Sequence, residues 1–484
     1  MRTPLVGRRT LACLLLAGLA AAQLLAFPGH YLGQEHDDAQ YVLAARALAC
    51  AEYRLGISPG NPRLTFVTPG WPALLAPAAW IFKGALWGYQ FWAYLWLVLC
   101  DVLVWLYFRR RAPPAAAAAA VGAFALNPLI LTRSGVVMSE VPALAAALGL
   151  LLLLDLGLPA WAAGLWAGAA WLIRPAAAAL FPAVLGLYLC RRRFRDAAIF
   201  LAAGALPVLA WRGWIGSAGA GLTEFEELAL NSPRGLSPLL SMAGSNIRQA
   251  LFLWGQSSLP WPSVSAAPCL ILGSILALAA GAGLWRQASR EGYDTAAVFL
   301  AAGALMHAFW PWWYERYLAA FLPFLIWAVW RSFSGLGGAK PAALLLIWAL
   351  SPLVGQSLPI MTSRDDRSRP ELAATYAWIR GRTNAWDAVA SAFYCRDALY
   401  AGRPFVPLPS ALAAAKGSYA DLLRERRAKY VLWEPIPDLG SSRGAEFFWS
   451  LRLEEIGKQL AGPAFRKAYA NAAEKTAVYE VEGP

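Results

Sequence analysis

Apolar stretches of the length a lipid bilayer demands recur throughout residues 1–358, and that recurrence constrains the fold more than any motif does. A transmembrane helix needs about 20 apolar residues, at ~1.5 Å each, to cross a hydrocarbon core of roughly 30 Å. Spans are expected at residues 10–28, 86–107, 114–131, 141–157, 160–173, 175–190, 196–214, 266–285, 295–312, 317–331 and 341–358, about eleven in all. Only 15% of the chain is charged while 59% is hydrophobic, against roughly 25% charged for a soluble domain. The expected class is therefore an α-helical polytopic membrane protein.

The net charge of +13 does not argue for nucleic acid, because the basic residues sit in short clusters between apolar runs. With a cytoplasmic N-terminus, Arg109–Arg111, Arg191–Arg195, Arg286 with Arg290, and Arg331 with Lys340 all fall inside, as the positive-inside rule requires. The same alternation sends residues 29–85, Arg133, Arg174, the loop 215–265, residues 312–316 and the tail 359–484 outside. Residues 10–26 have the look of a secretory signal, but the many later spans favour an uncleaved first helix. Arg174-Pro175 separates two short apolar runs, either as a break or as a kink within one element.

Composition changes at Thr362-Ser363-Arg364-Asp365-Asp366-Arg367, and residues 359–484 read as a small extracytoplasmic α/β domain. Helices are expected at 370–381, 418–427 and 444–460, and strands near 388–392, 429–433 and 477–481. The six cysteines show no CxxC or Cys/His spacing, so neither a structural zinc nor a disulfide framework is expected, although Cys50 and Cys395 both lie outside the spans. The histidines His30, His36 and His307 form no metal-ligand pattern.

Three polar groups stand out from this apolar background. The first is the run Glu35-His36-Asp37-Asp38-Ala39-Gln40-Tyr41, where Tyr41, Ala44, Ala45 and Leu48 recur as one stripe of a short helix that the acidic pair would open. Capping that helix is the plainer role for Asp37 and Asp38. The second is Glu140, which follows Ser139 at the outer end of a span, where a carboxylate either caps or faces a polar cavity. The third is the pair Arg174 and Arg316, the latter within Glu315-Arg316-Tyr317. Arginine offers a planar fork suited to phosphate, against the alternative of snorkelling to an interface.

The order of these pieces resembles the C-type (GT-C) membrane glycosyltransferases that use polyprenyl-phosphate sugars, including the protein O-mannosyltransferases and the aminoarabinose transferase of lipid A. The acidic run, Thr68-Pro69-Gly70-Trp71-Pro72, Asn127-Pro128 leading to Met138-Ser139-Glu140-Val141-Pro142, Leu172-Ile173-Arg174-Pro175 and Glu315-Arg316-Tyr317-Leu318 carry the resemblance. It departs from the usual first motif in having Asp-Asp for Asp-Glu. The resemblance implies Asp37 as the base, with Asp38 the other candidate, and Arg174, Arg316 and Tyr317 around the donor phosphate. Glu140 would orient the acidic helix, bind sugar hydroxyls or help hold a divalent cation.

A sugar on polyprenyl phosphate already carries a good leaving group, so one carboxylate suffices as base and inversion follows. The implied partners are a polyprenyl-phosphate sugar, an extracytoplasmic acceptor and the bilayer of a bacterial-type inner membrane. Two further readings stand beside this one: a transporter or flippase of lipid-linked sugars, which would favour internal repeats that the chain lacks, and a glycan ligase.

Overall fold

The structure is a computed structural model that describes residues 5–27, 31–35, 37–217, 235–262, 265–311, 315–336, 339–363, 372–409, 418–434 and 456–482. His30, His36, the Thr223–Leu228 segment, Arg364–Arg367 and most of the helix expected at 444–460 lie outside these residues. By internal packing the chain forms two units, one of Met1–Gly29, Thr68–Leu74 and Tyr89–Asp365, the other of His30–Val67, Leu75–Gly88 and Asp366–Pro484.

The first unit is helical, and helices occupy each of the apolar stretches expected to span. Among the described residues, five are long and apolar enough to cross a membrane by length and composition: Leu86–Arg109, Phe194–Ser217, Ala266–Glu291, Arg316–Leu336 and Lys340–Thr362. Shorter apolar helices among the described residues include Thr10–Leu25, Pro114–Ala125, Ala160–Ile173, Pro175–Cys190 and Thr295–Ala308. The chain is thus a helical, multi-pass membrane protein.

The helix Glu140–Asp155 is buried along one continuous run from Glu140 to Leu152. That burial on every side makes it a core element, and it packs against Ala160–Ile173 and Arg316–Phe333. Ala160–Ile173 in turn lies along Phe194–Ser217, where Gly164 and Gly168 bring the backbones together; a Cβ on Gly168 would come within 2.9 Å of Pro207 Cγ. Small residues four apart are how helices approach closely in lipid, where the hydrophobic effect no longer draws them together.

The Arg174-Pro175 junction is a break and not a kink. Helix Ala160–Ile173 stops, Arg174 is extended (φ −155°, ψ 125°), and Pro175–Ala179 form a 3-10 turn before helix Leu180–Cys190. A residue before proline is pushed out of the helical region by the ring's Cδ, which accounts for the conformation.

One expectation fails in this unit. Residues 215–265 were expected as a loop, yet Leu236–Gln256 form a 21-residue helix packed on Ala266–Glu291. Its Ser, Gly and Asn residues imitate a loop composition, while Ala243, Asn246, Leu253 and Trp254 form its buried face.

The second unit contains a five-stranded sheet of order β2-β1-β3-β5-β4, with β1 at Ala388–Ser391, β2 at Phe405–Pro407, β3 at Ala428–Trp433, β4 at Phe465–Asn471 and β5 at Thr476–Val481. The first three strands are parallel and the last two pairings antiparallel. β1 is buried at every position, as a central parallel strand covered on both faces must be. The expected helices and strands at 370–381, 388–392, 418–427, 429–433 and 477–481 all appear, whereas helix Tyr394–Ala401, β2 and β4 were not foreseen.

Residues 31–67 are part of this unit's packing. Phe405 donates its N–H to the Ile57 carbonyl at 2.8 Å, and Ser58 Oγ donates to the Phe405 carbonyl at 2.8 Å, so this segment borders β2.

Candidate functional site

In the helical unit, the structure brings buried Glu140, Arg316 and Tyr317 together with partly exposed Arg174 in one cluster. Glu140 opens its helix and is 1% exposed. A lone carboxylate at that depth is costly, and its Oε1 lies 3.1 Å from Arg174 Nη1 and 3.1 Å from Arg316 Nε.

Each arginine is aimed by its backbone. Arg174 is presented by the break described above, and its Nη1 donates to Ser139 Oγ at 2.9 Å. Ser139 therefore serves the arginine and makes no side-chain cap to the helix it precedes. Gly70 packs against the same break: a Cβ there would press on the Leu172 and Ile173 backbone, within 2.6 Å of the Leu172 carbonyl. Arg316 is the first residue of helix Arg316–Phe333, with Nη1 3.9 Å from Met138 Sδ. The Tyr317 ring centroid lies 4.9 Å from the Arg174 guanidinium and 5.8 Å from that of Arg316, and the ring meets His307 at 4.9 Å.

Among the described residues two cations thus share one anion, and Glu140, Arg174 and Arg316 together carry one net positive charge. Neither Glu140 oxygen accepts an aligned hydrogen bond among the described residues, so buried acceptor capacity remains at the cluster. With two guanidinium groups on one carboxylate, Glu140 does not fit the role of cation ligand. Among the described residues no group of three or more His, Cys, Asp or Glu could hold a metal ion. Beside the cluster, Arg133 Nη2 donates to Glu315 Oε1 at 3.2 Å. Asn246 Nδ2 reaches the carbonyls of Ala308 at 3.0 Å and Trp310 at 2.9 Å, tying down the end of helix Thr295–Ala308.

Asp37 and Asp38 belong to the second unit, at the start of helix Asp37–Ala49. They differ sharply in setting. Asp38 is buried, its Oδ2 accepting the Gly33 N–H and its Oδ1 the Ala39 N–H, both at 2.8 Å. Burial pushes its carboxyl up to about 7, opposed by the Gly33 N–H. Asp37 is partly exposed. Asp38 accepts a first-turn N–H of the helix and also acts as a brace, tying the preceding turn to the helix start. All six cysteines, Cys50 and Cys395 among them, are free.

Sequence reasoning named the charged residues of the cluster but not Gly70 as the support of Arg174. The proline after Arg174 was the available signal for the break; no local signal marks Gly70's distant contact.

No protein-family model matches the chain, and no curated protein matches it either. Solved structures do. ArnT from Cupriavidus metallidurans, bound to undecaprenyl phosphate, aligns with a TM-score of 0.61 at 12% identity, over 97% of this chain and 98% of that one. The apo oligosaccharyltransferase of Archaeoglobus fulgidus aligns with a TM-score of 0.52 at 15% identity, over 87% of this chain and 69% of its own. The same enzyme with zinc and sulfate gives 0.51 at 16% identity, over 86% and 67%. The chain has the GT-C fold that these membrane proteins share.

Proposed function

We propose that this protein is an inverting glycosyltransferase that moves a sugar from a polyprenyl-phosphate donor to an acceptor outside the cytoplasmic membrane. The observation that carries the reading is the Arg174–Glu140–Arg316 cluster, in which two guanidinium groups meet one buried carboxylate, on the fold that ArnT displays with undecaprenyl phosphate bound. As the bond between the anomeric carbon and the phosphate oxygen breaks, its electron pair leaves with the phosphate. Guanidinium groups fixed in advance stabilise that developing charge more than they stabilise the ground state. Tyr317 holds the two cations in place through its ring face. The free acceptor capacity of Glu140 suits sugar hydroxyls.

Asp37 is the base in this reading. It takes the proton from the acceptor hydroxyl while that oxygen bonds to the anomeric carbon, giving inversion and free polyprenyl phosphate. Asp38 is the weaker candidate, because both its oxygens already hold backbone N–H groups. About eleven spans, a cytoplasmic N-terminus and an outward-facing tail complete the proposal, on the strength of the positive-inside pattern.

The test supplies membranes holding Asp37→Asn or Asp38→Asn protein with a labelled polyprenyl-phosphate sugar and an acceptor-rich extract. Asp37→Asn is expected to lower transfer by roughly 10²–10⁴-fold; transfer at the wild-type rate by folded protein removes the assignment. A helix broken at an arginine, as at Arg174, is also a transporter's device. Uptake of the labelled lipid sugar without transfer would decide for that second reading, and transfer of whole glycans for a ligase.

A further inference from the structure

The turn that precedes Asp37 rests on a buried charged cluster from the far end of the chain. Gly33 has φ +102° and stands directly on the stem of Arg396. A Cβ at Gly33 would run into Arg396 Cγ and lie 2.8 Å from its Cβ and 3.1 Å from its Cδ. The other side of the same residue is held by Asp38, which accepts the Gly33 N–H.

Arg396 is itself immobilised. Its Nε and Nη2 donate to Asp397 Oδ1 at 2.9 and 2.7 Å, and Nη2 also donates to Glu434 Oε1 at 2.7 Å. Tyr376 donates to the same Asp397 oxygen at 2.6 Å. Arg396 is 2% exposed and Asp397 fully buried. A ring contact extends the hold: Tyr376 stacks on Tyr400 with centroids 6.2 Å apart. Packing alone would not require a buried ion cluster here, since an apolar residue of similar volume is often as stable. A charged network does confer one fixed geometry, because each partner dictates the orientation of the next.

We propose that Arg396 is a positioning residue: locked by Asp397 and Glu434, its stem fixes the Gly33–Asp38 turn and so sets the helix start on which Asp37 stands. The tail then contributes to transfer without touching substrate, and this rests on the reading of Asp37 as base. A base displaced by about 1 Å can lose on the order of 10²-fold in rate.

The experiment uses the full-length protein in lipid nanodiscs, with Arg396→Met, Arg396→Lys and Gly33→Ala. Bound undecaprenyl phosphate counts the folded helical unit, and sugar transfer is expressed per bound lipid. Hydrogen–deuterium exchange is followed in the peptide covering residues 31–40. Arg396→Met and Gly33→Ala are expected to raise exchange in that peptide by about tenfold or more. They should lower kcat per bound lipid by roughly 10- to 100-fold at unchanged donor KM. Arg396→Lys, which keeps a cation between the two carboxylates, should recover part of both. Wild-type exchange in residues 31–40 of both stronger variants overturns the proposal, as does unchanged kcat per bound lipid. A wild-type protein that transfers no sugar defeats the glycosyltransferase reading instead, and the exchange arm then decides the clamp by itself.

Discussion

Glu140→Gln is the sharpest perturbation available, because it removes one charge from a cluster in which two cations depend on it. Each guanidinium nitrogen lies 3.1 Å from Glu140 Oε1, which at an effective dielectric of about 20 corresponds to roughly 5 kcal/mol of attraction per pair. Desolvation of the buried ions offsets most of this, and removing one partner of such a pair usually costs about 3–5 kcal/mol. Glutamine keeps the shape and one acceptor oxygen but leaves the two arginines to repel each other. The variant should therefore be less stable by about 3–5 kcal/mol. Its site gains a unit of positive charge, so undecaprenyl phosphate should bind it more tightly and restore more stability than it gives the wild type, following mass action. Denaturation in detergent, with and without undecaprenyl phosphate, measures both effects. A Glu140→Gln protein as stable as wild type, with an equal response to the lipid, would refute the shared-carboxylate reasoning.

Gly70→Ala should push the Leu172–Ile173 backbone, and with it Arg174, out of place. A loss of roughly 1–3 kcal/mol in thermal stability with a raised donor KM is expected, and an unchanged KM would show that Gly70 does not support Arg174. Asp38 gives a pH prediction of definite sign. Its native carboxyl titrates near 7, well above an unfolded aspartate, so the native state holds the extra proton. That contribution is complete below about pH 4 and is lost as pH rises through about 7, an effect of a few kcal/mol. Burial raises Glu434 in the same sense, against the pull of Arg396, so Asp38→Asn should flatten only part of the decline. Urea melts at pH 4 and pH 8 read it, and equal slopes in wild type and variant would contradict the burial argument.

The helical architecture was legible because the bilayer imposes a length on every apolar run, and each expected stretch is helical in the structure. Glu140, Arg174 and Arg316 were legible for the same reason, since charge in an apolar context needs a partner. That they are one another's partners was not, because residues 140, 174 and 316 meet only through the packing of three helices. Helix Leu236–Gln256 escaped notice because its Ser, Gly and Asn residues match a loop in composition, and Asn246 is explained only by the carbonyls it serves. In the tail, β4 was missed because Arg466 and Lys467 give it an exposed, edge-like pattern. The Gly33–Arg396 contact joins residues far apart in sequence, and no local pattern predicts such a pair.

The second unit is discontinuous, drawn from His30–Val67, Leu75–Gly88 and Asp366–Pro484. During synthesis its first piece emerges long before its last, and the helices encoded between them are made in the interval. The Gly33 turn consequently has no Arg396 to rest on until synthesis has passed residue 396. Synthesis of residues 366–484 is then a licensing event: a message cut short within residues 89–365 yields apolar helices that can enter a bilayer, but a first loop left without its scaffold.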